Sequence, residues 1–268
     1  MPEHPEVSLA TQAIKPLIIN KTISNIFVGN TSRYKNTLPN NFNNFKTTNN
    51  QVLNVQNKGK FQYWTFDNNW YMFCTFGMTG QYSPKPGKHL CLGIEFNDDT
   101  GIYFNDPRHF GTISFTNKRQ DLTSKLNDLG WDPVLMSLDK NFNWIKSQFK
   151  NKTLAETLMN QKIFCGVGNY IKAESLYRAK LSPWKIANTL TEADIYLLCN
   201  SVIDVITESY NAQGATISTY KTILGENGQY SSCFKVYKQL KDQLGNPIIS
   251  ETTPDKRTTW WCPNIQKG

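Results

Sequence analysis

A chain of 268 residues, 39% hydrophobic and 19% charged, is long enough for a substantial core and for two domains. Its 29 basic and 21 acidic residues leave a net charge of +8, which favours a polyanionic partner, a nucleic acid or an anionic membrane surface. No apolar run approaches the length of a membrane span, and the first residues lack a charged segment followed by a hydrophobic core. The protein is therefore expected to be intracellular, wherever the genome is, and not secreted. The six cysteines (Cys74, Cys91, Cys165, Cys199, Cys233, Cys262) form no CxxC pair, so neither a zinc site nor a disulfide framework is written in them.

The chain opens Met1-Pro2-Glu3-His4-Pro5-Glu6-Val7. Methionine is usually trimmed before a small second residue, and trimming would leave Pro2 as a secondary amine, a nucleophile that turns an aldehyde-level carbon into an iminium ion. Glu3 beside it could carry protons to and from the reacting group. The same residues also read as an ordinary helix start: Pro5 in the first turn, acidic Glu6 next, then the stripe Val7, Ala10, Ile14, Leu17, fraying near Pro16.

From Lys21 to Phe115 the pattern is β. Strands are predicted over Val52–Lys58, Lys60–Phe66, Trp70–Phe76, Leu90–Phe96 and Gly101–Phe104, with turn clusters at 67–69 and 97–100, which suggests a two-layer sandwich. Within this region Lys60 follows Lys58-Gly59 and reads as a solvated surface lysine. Thr75-Phe76-Gly77-Met78-Thr79-Gly80 is a turn with an apolar tip. Asn105-Asp106-Pro107-Arg108-His109-Phe110-Gly111 reads as a β-turn, with Phe110 either in the core or offered to a partner.

Helical periodicity returns near Asp121, and Trp131-Asp132-Pro133 breaks it where a linker is expected. Thr153-Leu154-Ala155-Glu156 fits a capping box. After Gln161-Lys162 the turn Gly166-Val167-Gly168-Asn169 precedes a second helix, Tyr170 to Lys180. This is either a plain helical hairpin or a helix start that offers N–H groups to a phosphate. Thr191 to Tyr210 is a further helix and Gly214 to Tyr230 a loop.

Five of these blocks, in the right order, resemble the formamidopyrimidine-DNA glycosylase and endonuclease VIII family: the opening heptapeptide, the lysine at 60, the Gly-Met-Thr-Gly loop, Asn-Asp-Pro-Arg-His-Phe-Gly, and Gln161-Lys162 with Gly166 to Leu176. The resemblance implies an α+β chain in three parts. These are an N-terminal two-layer β-sandwich with flanking helices over 1–131, a helix-two-turn-helix domain over 132–228, and a β-hairpin finger over 229–268. It implies a bifunctional glycosylase and lyase of base excision repair, in which Pro2 forms a Schiff base, Glu3 moves protons and Lys60 holds a phosphate beside the lesion. Met78, Arg108 and Phe110 would fill the gap left by a flipped nucleotide. Lys162, Asn169 and Arg257 would grip phosphates, with Glu6 and Tyr170 among the DNA contacts.

The chain departs from the family in three places. Thr75 replaces a histidine, His109 an arginine, and only Cys262 remains of four finger cysteines. One thiol cannot form a four-ligand zinc site, so a zincless finger is expected, packed instead by Leu244, Trp260, Trp261 and Ile265. No metal or organic cofactor is expected. The expected partner is double-stranded DNA with oxidised bases or abasic sites, bound by a monomer, with no membrane. Oxidised pyrimidines and hydantoins are favoured as substrates. The alternatives are a purine-directed enzyme for formamidopyrimidine or 8-oxoguanine lesions, or a homologue that binds DNA without cleaving it.

Overall fold

The computed structural model describes residues 2–217, 220–223 and 225–268. They form two compact units, each discontinuous in the chain: residues 1–127 with 213–228, and residues 128–212 with 229–268.

The first unit is two four-stranded antiparallel sheets. One holds β1 (Ile23–Val28), β6 (Leu90–Phe96), β7 (Gly101–Asn105) and β5 (Gln81–Ser83) in that order. The other holds β2 (Val52–Lys58), β3 (Phe61–Phe66), β4 (Tyr71–Thr75) and β8 (Thr112–Thr116). The alternation read in the sequence becomes the burial pattern: along β3, Gln62, Trp64 and Phe66 point inward while Phe61, Tyr63 and Thr65 are partly exposed. Inward residues of both sheets form one core, with Trp64, Phe66, Met72, Ile94, Phe104 and Phe115 all buried. Gln62 is the polar exception. It is wholly buried and hydrogen-bonded at both ends, since its amide donates to Thr11 and its carbonyl accepts from Trp64 and Tyr82. Two short helices, α2 (Phe42–Lys46) and α3 (Arg119–Asn127), complete the unit with α1 (His4–Ile18). Pro16 lies inside α1, two residues before its end, rather than ending it, and the helix forgoes one N–H bond in its last turn.

The second unit is helical: α4 (Leu138–Gln148), α5 (Leu154–Met159), α6 (Asn169–Arg178) and α7 (Glu192–Asn211), followed by the hairpin β9 (Ile249–Thr252) and β10 (Thr258–Trp261). The capping box at Thr153 forms as read: its hydroxyl accepts the Glu156 N–H while Glu156 accepts the Thr153 N–H at 3.0 Å.

The boundaries differ from the three-part expectation. Trp131 is wholly buried in the second unit, bridging to Phe164, so the break falls at 127 rather than 131. Residues 213–228 pack with the first unit because the Ala215 N–H donates to Glu6 Oε1 at 2.8 Å. The finger joins the helices in one unit: the carboxylate of Glu174 on α6 accepts the backbone N–H groups of Lys235, Val236 and Tyr237. Among the described residues no helix is long and apolar enough to cross a membrane.

Candidate active site and nucleic-acid contacts

Pro2 and Glu3 sit at the buried start of α1, with Glu3 only 2% exposed. Glu3 is the extended N-cap residue, and its N–H donates to Glu6 Oε2 at 2.7 Å. The second oxygen of Glu6 takes the Ala215 N–H. Glu6, expected among the DNA contacts, is 1% exposed, and both of its carboxylate oxygens accept backbone N–H groups. Its place is structural, tying the first turn of α1 to the root of the 213–228 segment. Met1, whose removal the expected chemistry would require, lies outside the described residues, as do positions 218, 219 and 224 of the loop read over Gly214 to Tyr230.

Lys60 occupies the two-residue turn between β2 and β3, where Lys58 and Phe61 are the closing pair and Gly59 adopts φ +53°. The left-handed glycine is what lets the turn be so tight. Lys60 is partly exposed there.

Met78 lies partly exposed in the turn after β4, and Arg108 and Phe110 lie in the loop between β7 and β8. Phe110 is 52% exposed, with the Arg108 guanidinium 5.1 Å from the centre of its ring, so it is not a core residue. The two loops touch backbone to backbone: a Cβ on Gly77 would lie 2.5 Å from Gly111 N and from Phe110 C. Thr75, in place of the family histidine, spends its hydroxyl on Thr112 across the β4–β8 pair at 2.7 Å. His109 takes φ +57°, and its carbonyl accepts from Arg33 at 3.1 Å.

In the second unit Gln161 stitches the turn between α5 and α6. Its amide donates to Val167 O at 2.8 Å, and its carbonyl accepts the Gly166 N–H at 3.1 Å, with Gly166 at φ +90°. Lys162 is exposed on this turn, on an open groove of about 540 Å³ that Lys150 and Lys152 also line. Asn169 is the first residue of α6. Its amide donates to Thr258 O at 2.8 Å, next to exposed Arg257, so two of the expected phosphate ligands are brought together. Tyr170 is corrected: its side chain is wholly buried, with its hydroxyl on Ser209 at 3.0 Å and its ring among Tyr230, Phe234 and Tyr237. Only its backbone could meet a phosphate.

Sequence reading missed Lys172. It is wholly buried on α6 and bridges to Asp255 in the β9–β10 turn. A lysine among core-facing positions of a helix was the available signal.

The finger does not fit a zinc ion. Cys262 is buried, and its Sγ is 3.7 Å from Asp242 Oδ2, but the Asp242 carboxylate is already occupied. It accepts the Leu244 and Asn246 N–H groups, the Asn246 side chain and the Tyr177 hydroxyl. Burial pushes the Asp242 carboxyl up, and these hydrogen bonds outweigh it, holding it below its ordinary value. No three His, Cys, Asp or Glu side chains among the described residues gather as metal ligands. Leu244 does not pack in place of a metal, being 76% exposed; the polar hub at Asp242 closes this part of the chain instead.

Comparison with known proteins matches three family profiles in order. They are the formamidopyrimidine-DNA glycosylase N-terminal domain over 1–113, its H2TH domain over 129–221 and its C-terminal domain over 229–267. A formamidopyrimidine-DNA glycosylase of Wolbachia sp. subsp. Brugia malayi (strain TRS) is 30% identical over 274 residues, covering 99% of this chain and all of the relative. The crystal structure of the MutM (Fpg) protein of Thermus thermophilus superposes with TM-score 0.84 at 26% identity, covering 99% and 98% of the two chains. A Lactococcus lactis FPG mutant in complex with a Fapy-dG containing DNA superposes with TM-score 0.88 at 25% identity, covering both chains fully.

Proposed function

The chain belongs to the formamidopyrimidine-DNA glycosylase family, and from that premise we propose that it excises oxidised bases from duplex DNA through its N-terminal proline and then cleaves the strand. The observation that carries this reading is the placement of Pro2 and Glu3 together at the buried head of α1. Once Met1 is removed, the Pro2 amine attacks C1′ of the damaged nucleotide and the base leaves with the electrons of its glycosidic bond. Glu3 gives a proton to the sugar ring oxygen as the C1′–O bond opens, leaving an iminium ion between Pro2 and C1′. The iminium draws electrons from C2′, which loses a proton as the 3′ phosphate departs. A second elimination releases the 5′ phosphate, and water frees Pro2.

Lys60 supports these steps as a ligand of the phosphate beside the lesion. Lys162, Asn169 and Arg257 hold further phosphates, and Met78, Arg108 and Phe110 fill the vacated stack. Borohydride added during turnover reduces the iminium and locks protein to DNA. The expected result is a trapped complex with the peptide attachment at Pro2, and loss of base excision in Glu3→Gln. Attachment at Lys60 or another lysine with Pro2 unmodified refutes the assignment. Intact DNA with tight binding supports instead a homologue that binds without cleaving.

For the lesion, we favour oxidised pyrimidines and hydantoins, on the finger that lacks metal ligands. The second reading, oxidised purines, is favoured by the formamidopyrimidine names of the relatives. Single-turnover rates on thymine glycol or dihydrouracil against 8-oxoguanine paired with cytosine decide between them.

A further inference from the structure

Asp106 is wholly buried, and neither the proposed chemistry nor phosphate binding uses it. An aspartate before proline ordinarily makes a local turn, accepting the N–H two residues on. Asp106 does this, with Arg108 N 3.3 Å from Oδ1. It also reaches outside its own loop. The Thr79 hydroxyl, 27 residues earlier, donates to the same Oδ1 in a short hydrogen bond, and the Thr79 oxygen in turn accepts the Arg108 N–H at 3.1 Å. The other oxygen, Oδ2, takes the Gly111 N–H at 2.6 Å. A local turn explains the first of these bonds and none of the rest.

The carboxylate therefore stands between two loops. On one side Thr79 follows Met78; on the other Arg108 and Gly111 bracket the stretch that carries Phe110. The loops are already in backbone contact at Gly77, where φ is +57° and no side chain fits, and Arg33 holds the outer edge through the carbonyls of His109 and Gly111. Asp106 itself is fixed from behind, its N–H donating to His89 O at 2.9 Å.

We propose that Asp106, with Thr79, is a positioning residue that makes the Met78 turn and the Arg108–Phe110 loop a single rigid wedge, so that all three side chains enter the duplex together. This rests on the function proposed above and adds to it. Filling the gap left by a flipped nucleotide requires groups that are in place at the moment the base leaves the stack. A loop free to move independently would meet a stacked helix with one side chain at a time, whereas a clamped pair presents the filled shape at once. The clamp has no part in the chemistry at C1′, so it matters only when there is a stack to enter.

The test compares two substrates on one protein. Asp106→Asn keeps the size but replaces one acceptor oxygen with a donor, so it cannot accept from both Gly111 and the Thr79–Arg108 side. Thr79→Val removes only the hydroxyl link, and Thr79→Ser restores it. Processed protein is assayed on a duplex containing a lesion and on a single-stranded oligonucleotide with an abasic site. In both Asp106→Asn and Thr79→Val the ratio of duplex kcat to single-strand kcat should fall by about tenfold or more, the order that a misplacement of about an ångström costs. Duplex KM should change little, and Thr79→Ser should restore the ratio. An equal loss on both substrates would mean that the variants are only less folded, and an unchanged ratio that the loops act separately; either overturns the proposal. If the unaltered protein fails to cleave the abasic strand, it is the function proposed above that fails, not the clamp.

Discussion

Lys172 in α6 and Asp255 in the β9–β10 turn meet at 2.7 Å, with neither side chain more than 4% exposed. Asp255 is held again by the Thr253 hydroxyl, which is also bonded to Thr259 across the hairpin. Three residues before Lys172, on the same face of α6, Asn169 bonds the Thr258 carbonyl. The helix thus grips the hairpin on both sides of Arg257.

Removing one member of such a pair strands a charge in the interior, which costs about 3–5 kcal/mol, whereas replacing both with apolar groups is often close to neutral. Lys172→Met should therefore lower the urea midpoint strongly, and Lys172→Met with Asp255→Leu should regain most of it. Equal losses in the single and double variants would show that the ion pair itself is not what holds the turn.

Arg257→Ala should weaken binding to every duplex sequence alike and reduce the dependence of log K on log salt by about one unit, as expected for one lost phosphate contact. Fluorescence anisotropy at several salt concentrations measures it. If affinity and slope are both unchanged, the finger arginine does not meet DNA.

Glu6→Ala leaves the N–H groups of Glu3 and Ala215 without their acceptor, and a buried unsatisfied donor costs about 1–3 kcal/mol. The thermal midpoint should fall, and amide exchange should quicken at Ala215 and Glu3 before the sheet opens. Protection at Ala215 equal to that of the unaltered protein would count against the anchor.

Prolonged treatment with a strong chelator should leave the thermal midpoint unchanged, since Asp242 accepts hydrogen bonds that close the finger and no three ligand side chains gather among the described residues. Asp242→Ala should lower it, because the N–H groups of Leu244 and Asn246 lose their acceptor. A chelator-dependent midpoint would reveal a metal.

Asp98 makes one contribution to the acid stability of the first unit, and its sign follows from its pKa. The hydrogen-bonded Lys21 amine, 2.8 Å away, holds its carboxyl down to about 2, with the Thr100 hydroxyl adding to this. A lowered folded pKa stabilises the native state above the ordinary carboxylate value, about 4, and the contribution is lost as pH falls towards 2. Lys21→Met should flatten that part of the stability profile, which denaturant titrations between pH 2 and 6 would follow.

What the sequence disclosed was whatever is local. The capping box at Thr153, the hairpin through Gly59 and the glycine turn before Asn169 are each settled by residues within a few positions, so pattern alone finds them. Short strands such as β5, with three residues, carry too little alternation to be read. The misreadings are long-range. Glu6 reads as an ordinary first-turn acid, and its hold on a backbone N–H 209 residues away cannot be seen in the sequence. Tyr170, next to an asparagine expected to hold a phosphate, gave no hint that the helix turns it inward. Asp106 read as a turn residue, and its hold on Thr79 needs the register of two loops that nothing in either loop specifies.

Residues 213–228 belong to the first unit although 85 residues of the second unit, 128–212, precede them in the chain. During synthesis the sandwich strands leave the ribosome well before Ala215, so Glu6 must wait for its distant donor while the helices are made. The amino-terminal unit cannot be completed until most of its neighbour has emerged. Nor can the neighbour be exchanged by recombination at a single point: a transplanted second unit has to be spliced at both 127/128 and 212/213, and again where the chain returns after 228. Gene fusion that respects only the first of these junctions would deliver a sandwich whose first helix lacks its distant clasp.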